Sequence, residues 1–319
     1  MGSANSPQWI SHRGYCKHEI ENTLGAFDEA VNLGFDRLET DLRVSKDNQI
    51  VLSHDENLSR TGGPNQNINS LTANQLRELH LKYYKKIVFL DEFVNRYCAK
   101  NWIFDIKPEH GTKTIQALKG WAEYNQAHKT LTSQSWFLVW DRSHEKMIRE
   151  FLPHATILAD HKRCWRAGLS IYFGLSFLGG FIKGMIYALP AKTWKKDFFK
   201  KSTVKKIHGH KAKALAYLPK DEKETNNAIK AGFDYILTDH PPIRPRRVFS
   251  RPSFSENRRG PDNRRGHDNR RNSDSRRPGN YKPSHNSERS GPRSNDRSYN
   301  NKRSFDNSKR DNRKFPPKK

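Results

Sequence analysis

Three short segments decide the fold of this chain: Ile10-Ser11-His12-Arg13-Gly14, Leu38-Glu39-Thr40-Asp41-Leu42 and Leu52-Ser53-His54-Asp55. They place two histidines and two carboxylates at the ends of three consecutive predicted strands. Glu39 and Asp41 flank a single Thr, and side chains on a strand alternate with period two, so both carboxylates share one face. Two like charges held that close favour a bound cation. Histidines on neighbouring strands then supply a proton donor and a proton acceptor beside it. The pattern is that of a metal-dependent hydrolytic site.

Outward from these segments, β-rich runs alternate with helical periodicity from residue 8 to about 240. Strands are expected at 8–11, 36–44, 49–54, 102–107, 136–140, 156–159, 185–189, 212–217 and 235–238. Helices are expected at 23–33, 73–79, 90–98, 112–128, 143–151, 193–207 and 222–231. In the first of these, Leu24, Phe27, Ala30 and Val31 repeat at helical spacing, Asn22 or Thr23 stands at the cap, and Gly34 follows the end. About eight strands, most followed by a helix, predict an α/β fold of the (β/α)₈ (TIM) barrel type. An open doubly wound sheet lacks its glycine-rich βα turn here. Barrel chemistry gathers where strands end, and His12, Asp41, His54 and Lys107 all fall there.

Composition divides the chain. The net charge is +25 over 319 residues, and the segment from Arg244 onward holds 24 basic and 8 acidic residues. Two units follow: a barrel domain over 8–242 and a basic Arg/Asn/Ser-rich tail over 243–319. The tail repeats every six residues (Glu256-Asn-Arg-Arg-Gly-Pro, Asp262-Asn-Arg-Arg-Gly-His, Asp268-Asn-Arg-Arg-Asn-Ser) and has too little apolar surface to offset ordering entropy, so disorder is expected. Its arginines and scattered aromatics fit RNA or another polyanion as partner, although each repeat also carries an acid. Cys16, Cys98 and Cys164 are odd in number and form no CxxC pair, which argues against a disulfide framework or a zinc-thiolate site. With no signal-peptide pattern at the N-terminus, a cytoplasmic location is expected, with peripheral membrane contact as the variant left open.

That variant rests on one run. Residues 168–182 form an apolar stretch with four glycines and no charge, flanked by Lys162, Arg163, Lys183, Lys192, Lys195 and Lys196. It is too short to span a bilayer and lies inside the barrel pattern. A helix after the sixth strand is expected, packed on the barrel. Both an ordinary buried helix and one in which 168–190 overlies an anionic lipid surface fit the run.

The residues His12-Arg-Gly, Glu21-Asn-Thr, Ala26-Phe27, Gly34-Phe-Asp36, Glu39-Thr-Asp41, Ser45-Lys-Asp47, His54-Asp55 and Arg60-Thr61, in this order, resemble the glycerophosphodiester phosphodiesterases. Phe104-Asp105-Ile106-Lys107-Pro108 resembles that family's Glu-x-Lys strand, and Ala231-Gly-Phe-Asp-Tyr-Ile-Leu-Thr-Asp239 its last strand. The resemblance covers about residues 8–242. It implies a barrel of the phospholipase-C-like phosphodiesterase type that hydrolyses glycerophosphodiesters to an alcohol and glycerol 3-phosphate with one divalent cation, Mg²⁺ or Ca²⁺. On that reading Glu39, Asp41 and Asp105 hold the metal, His12 and His54 are the acid/base pair, and Arg13 and Lys107 hold the phosphate. The implied mechanism begins with attack by the substrate's own glycerol hydroxyl and ends with hydrolysis of a cyclic phosphate. Hard oxygen ligands suit such cations, and a guanidinium fork suits phosphate.

Three departures from the family pattern stand out: Asp105 replaces a Glu, Ile20 replaces the Pro before Glu21, and Ala216-Tyr217-Leu218-Pro219 replaces a Trp-Thr-Val-Asn. The segment between His54 and Asp105 is short, so a reduced lid and an open site are expected. The substrate is accordingly a small-molecule or a lipid phosphodiester, the second making the chain a lysophospholipase D. A sphingomyelinase D reading does not fit the cysteines. An RNA- or polyanion-binding protein that uses the basic tail, its barrel mainly a scaffold, is the further alternative, and the intact His12, Glu39, Asp41 and His54 set argues against lost catalysis.

Overall fold

The computed structural model describes residues 6–193 and 196–243. The tail readings for 244–319, disorder and polyanion binding alike, fall outside the described residues, as does Lys195. Among the described residues eleven strands and nine α-helices follow one another, and eight of the strands form the barrel. β1 (Gln8–His12) pairs in parallel with β2 (Arg37–Val44), which carries β3 (Ile50–Leu52) as an antiparallel partner on its far end. Beyond β2, the parallel order continues through β4 (Asn101–Ile106), β5 (Ser135–Val139) and β6 (Thr156–Ile157). On the other side of β1 lie β11 (Tyr235–Thr238), β10 (Lys213–Tyr217) and β7 (Ile186–Pro190). Between β6 and β7 the ring is narrowly closed: Ala159 N donates to Ile186 O at 2.9 Å. A small antiparallel hairpin, β8 (Lys192–Thr193) with β9 (Lys196–Asp197), follows β7.

The helices are α1 (Leu24–Asn32), α2 (Ala73–Glu78), α3 (Leu90–Arg96), α4 (Gly111–Tyr124), α5 (His128–Gln134), α6 (Arg142–Phe151), α7 (His161–Tyr172), α8 (Lys201–Gly209) and α9 (Glu222–Ala231). Thr23 caps α1, its hydroxyl accepting from Ala26 N.

Period two sorts the strand side chains into a lumen and an outer layer. Ile10, Ile103, Leu158, Ile186, Leu215 and Leu237 pack together inside the ring. Below them Arg37 lies 3.6 Å over the Trp136 ring and donates to Trp102 O and Gln134 O. Outside, Trp102, Phe104 and Phe137 meet Phe27, Phe93 and Tyr97 of the covering helices, with Phe27 and Phe93 centroids 4.8 Å apart. Buried apolar and aromatic area of this kind is the main favourable term in the fold.

The structure differs from the sequence reading at four places. Residues 49–54 are not a barrel strand: Ser45 N bonds Gln49 O across a tight turn, Asn48 adopts φ +64°, and β3 folds back on β2. The 112–128 helix is two, broken where Gln126 takes φ +52°. The 193–207 helix is the β8–β9 hairpin followed by α8, because Phe198 and Phe199 are drawn into the outer core and Asp197 accepts from Phe199 N. The apolar run is not one helix. α7 starts early, capped by Asp160, ends at Tyr172, and passes into a 3₁₀ turn (Ser176–Gly179) between Gly174 and Gly180, both at positive φ. No helix among the described residues is long and apolar enough to cross a membrane. The segment after His54 is short but not bare, since Val51, Leu58, Ile68, Leu76 and Phe89 give it a small core of its own.

Phe93 is fully buried at the centre of the outer aromatic cluster. Phe93→Ala is therefore expected to lower the free energy of unfolding by about 3–5 kcal/mol, measured by urea titration.

Candidate active site

β1 ends at His12, and the next two residues turn sharply: Arg13 has φ +57° and Gly14 φ +87°. A Cβ at Gly14 would stand 2.7 Å from the Ala26 carbonyl carbon, so only glycine lets the turn pack against α1. The turn aims Arg13 N at Glu39, whose Oε2 lies 3.0 Å away and whose backbone oxygen lies 3.1 Å away. The Arg13 guanidinium reaches Glu21 Oε1 at 3.1 Å and stands 3.2 Å from Asp41 Oδ2.

The third carboxylate arrives by strand register. Asp41 of β2 pairs with Asp105 of β4, so the two project into the lumen side by side. Oxygens of Glu39, Asp41 and Asp105 all lie within 4.8 Å of one another, and all three residues are buried. Lys107 Nζ stands 2.7 Å from Asp41 Oδ1 and 2.6 Å from Asp105 Oδ2. Asp105 Oδ1 accepts from Trp140 Nε1 at 2.8 Å. Asp41 Oδ2 accepts from Asn22 Nδ2 at 3.0 Å, and Asn22 Oδ1 in turn accepts from Thr40 Oγ1 at 2.8 Å.

Burial governs the electrostatics. It pushes the Glu39 carboxyl up to about 8, and the charge of Asp41 adds to the shift. Burial also raises Asp105, against the pull of Lys107. Burial pushes the same way at Asp41, but Lys107 and Arg13 outweigh it and hold that carboxyl below its ordinary value. Lys107 is itself raised, burial being overcome by its two carboxylate partners.

The histidines flank this cluster. His12 Nδ1 lies 2.8 Å from Asp239 Oδ1, and His54 Nδ1 lies 2.7 Å from Asp55 Oδ1, so each ring is held through Nδ1. Burial lowers the His12 pKa, but its bond to Asp239 and the charge of Glu39 overcome this and leave it raised. Arg43 clamps the His54 loop to β2, its NH2 donating to His54 O at 2.7 Å. Arg60 pairs with Asp55 and, at 2.6 Å, with Glu21, which joins the His54 side of the site to Arg13.

His12, Arg13, Glu39, His54, Asp105 and Lys107 line one end of a cavity of about 430 Å³. An apolar arm leads away from them along Trp165, Leu169 and Tyr172 of α7, Leu189 of β7 and Phe198. Every site residue expected from the sequence belongs to this one constellation. Lys107, expected on phosphate, here rests between two carboxylates. Asn22, Trp140 and Asp239 were not expected in their roles. Asn22 and Asp239 stood inside the motifs already singled out, whereas nothing in the sequence marked Trp140.

Residues 12–160 match the sequence model of the Glycerophosphoryl diester phosphodiesterase family. Over 62 residues, 19% of this chain and 20% of the relative, the chain is 53% identical to a protein named Lysophospholipase D GDPD1 from Homo sapiens. It thus spans about a fifth of that relative's length. Over 251 residues, 73% of this chain and 93% of the relative, it is 26% identical to a glycerophosphodiester phosphodiesterase of Caldanaerobacter subterraneus subsp. tengcongensis. Among solved structures, the glycerophosphoryl diester phosphodiesterase domain of a Mycobacterium tuberculosis protein superposes with TM-score 0.63 at 15% identity, covering 74% of this chain and 97% of that one. A phosphodiesterase of Oleispira antarctica, solved with the product sn-glycerol-3-phosphate, gives TM-score 0.56 at 21% identity over 74% and 94%. At such identities the superpositions establish the barrel and no more. Residues 12–160, just under half of the chain, thus match that family's model, and the barrel is shared with solved glycerophosphodiester phosphodiesterases.

Proposed function

We propose that the protein hydrolyses glycerophosphodiesters to an alcohol and glycerol 3-phosphate with the help of one divalent cation, Mg²⁺ or Ca²⁺. The observation that carries this reading is the meeting of three buried carboxylates, two basic side chains and two oriented histidines at one end of a single cavity. The donor set fits a hard cation: three carboxylate oxygens converge, and two of the three carboxyls are pushed toward their neutral forms. Glu39, Asp41 and Asp105 would hold the ion. When bound, it supplies charge stabilisation for the phosphoryl oxygens.

The chain's own residues do the rest. Arg13 offers its guanidinium to the phosphate, and Lys107 adds a point charge. His54 takes the proton of the attacking glycerol hydroxyl. His12, whose protonated form Asp239 and Glu39 favour, gives its proton to the leaving alcohol. A P–O bond to the glycerol hydroxyl forms as the P–O bond to the alcohol breaks, and water then opens the cyclic diester.

The apolar arm favours a second reading on the same chemistry, in which the substrate is a lysophospholipid whose single chain lies along Leu169 and Tyr172. The name of the human relative, Lysophospholipase D GDPD1, agrees with it.

Three outcomes are expected. Purified protein releases glycerol 3-phosphate from glycerophosphocholine with Mg²⁺ or Ca²⁺, loses this with EDTA, and loses about 10²–10⁴-fold in kcat on His12→Ala; release that ignores EDTA or survives in the variant sinks the proposal. Leu169→Asn lowers kcat/KM by about tenfold for lysophosphatidylcholine, more steeply than for glycerophosphocholine; equal losses reject the lipid reading. The third concerns pH. A Glu39 carboxyl raised from its ordinary 4.5 to about 8 keeps a proton in the folded chain that the unfolded chain has already lost. The folded state binds more protons across that window, so the Glu39 contribution to stability falls as pH rises from about 4.5 to about 8 and is flat above. In EDTA, Glu39→Gln should gain stability relative to the parent across this range, read by urea unfolding at successive pH values; a constant difference refutes the assignment.

A further inference from the structure

From Ala167 to Ile182 the chain carries no charged residue, yet much of this run faces outward. Phe173 is 65% exposed, Phe177 73% and Leu178 58%, with Leu175 and Ile182 also exposed. Five large apolar side chains exposed within ten residues are of the sort that marks an interaction surface.

The patch is built, not frayed. Arg166 donates to Gly179 O at 3.0 Å and Gly180 O at 3.2 Å, and Ile182 N donates to the Tyr187 hydroxyl at 2.9 Å. Phe181 turns inward, stacked on His210 at 4.7 Å and edge-on to Tyr187 at 5.0 Å. Lys196 Nζ caps the end of α7 by donating to Tyr172 O. The loop therefore holds its apolar side chains out on anchored backbone, and little ordering entropy remains to be lost on docking.

The surroundings name the partner. Between residues 161 and 201 stand nine Lys and Arg and a single acid, Asp197. Lys162, Lys183, Lys192, Lys200 and Lys201 are exposed. An exposed apolar segment flanked in sequence by exposed lysines matches a bilayer surface carrying anionic lipid, where the aromatics enter the acyl boundary and the lysines meet headgroups. We propose that the segment from Phe173 to Ile182 is a membrane-docking surface for anionic bilayers. The proposal deepens the lipid reading of the site and rests on it for its purpose. α7 links the two, since Trp165, Leu169 and Tyr172 line the cavity and its C-terminal end runs straight into the patch.

The test is vesicle partitioning of the full chain, with phosphatidylcholine vesicles and with vesicles in which phosphatidylserine replaces part of the lipid. The basic tail is present throughout, so binding is also measured in about 1 M salt, where the screening length is ~3 Å and charge attraction is largely removed. Wild type is expected to prefer the anionic vesicles and to keep part of its binding at high salt. Phe173→Ser/Phe177→Ser/Leu178→Ser, at exposed positions, should keep the melting temperature and lower the partition constant about tenfold or more. Phe177→Trp serves as the second variant: its emission should be quenched by brominated acyl chains. The proposal is overturned by no binding of wild type to anionic vesicles, by a triple variant that binds within about twofold of wild type, or by an unquenched Trp. Neither readout uses turnover. Binding without hydrolysis would sink the enzymatic reading alone, and hydrolysis without binding the docking surface alone.

Discussion

The Lys107 ammonium between Asp41 and Asp105 is the contact on which the site depends. Three carboxylates packed into a barrel lumen repel one another and are expensive to desolvate, and no arrangement of apolar neighbours relieves that. Lys107 is shared between two of them. Arg13 takes a share of Asp41, and burial, with the charge of Asp41 beside it, leaves Glu39 with a raised pKa. Asn22 and Trp140 satisfy the outward oxygens of Asp41 and Asp105, so the cluster has few ways to rearrange. The oxygens of Glu39, Asp41 and Asp105 nonetheless converge within 4.8 Å, a grouping that could hold a cation.

The same economy runs through the second network. Arg13, Glu21, Arg60, Asp55 and His54 alternate in charge, each touching the next. Arg13 and His54 are thereby oriented by a shared set of partners rather than by separate loops. Arg43 adds a rigid tie from β2 to the loop that carries His54. The histidine is thus placed by a strand that it does not itself belong to.

Much of this was legible in the residue pattern, and the parts that were not share a cause. The Glu39-Thr40-Asp41 spacing announced a common face, and strand alternation needs no tertiary information. His12, Asp105 and Lys107 sit at strand ends because the barrel puts them there. Residues 49–54 misled because a short apolar run, Ile50-Val51-Leu52, looks alike in a barrel strand and in a hairpin arm; only the turn at Asn48 distinguishes them. The helix expected over the apolar run misled because glycines at positive φ end a helix whatever the hydrophobicity around them. Trp140 was invisible for a different reason: its role is set by the register of β5 against β4, a contact between residues 35 apart in sequence.

The two-residue strand β6 and its narrow link to β7 leave the barrel with one soft seam. The apolar arm of the cavity opens beside this seam, bounded by Leu158 and Ala159 on one side and Leu189 and Pro190 on the other. The long ladders from β1 through β5 hold the reacting groups in register, while the short one carries almost none of that load. The carboxylate cluster and the apolar arm are therefore carried by different parts of the ring: Glu39, Asp41 and Asp105 by β2 and β4, the arm by α7, β7 and the residues that follow β6.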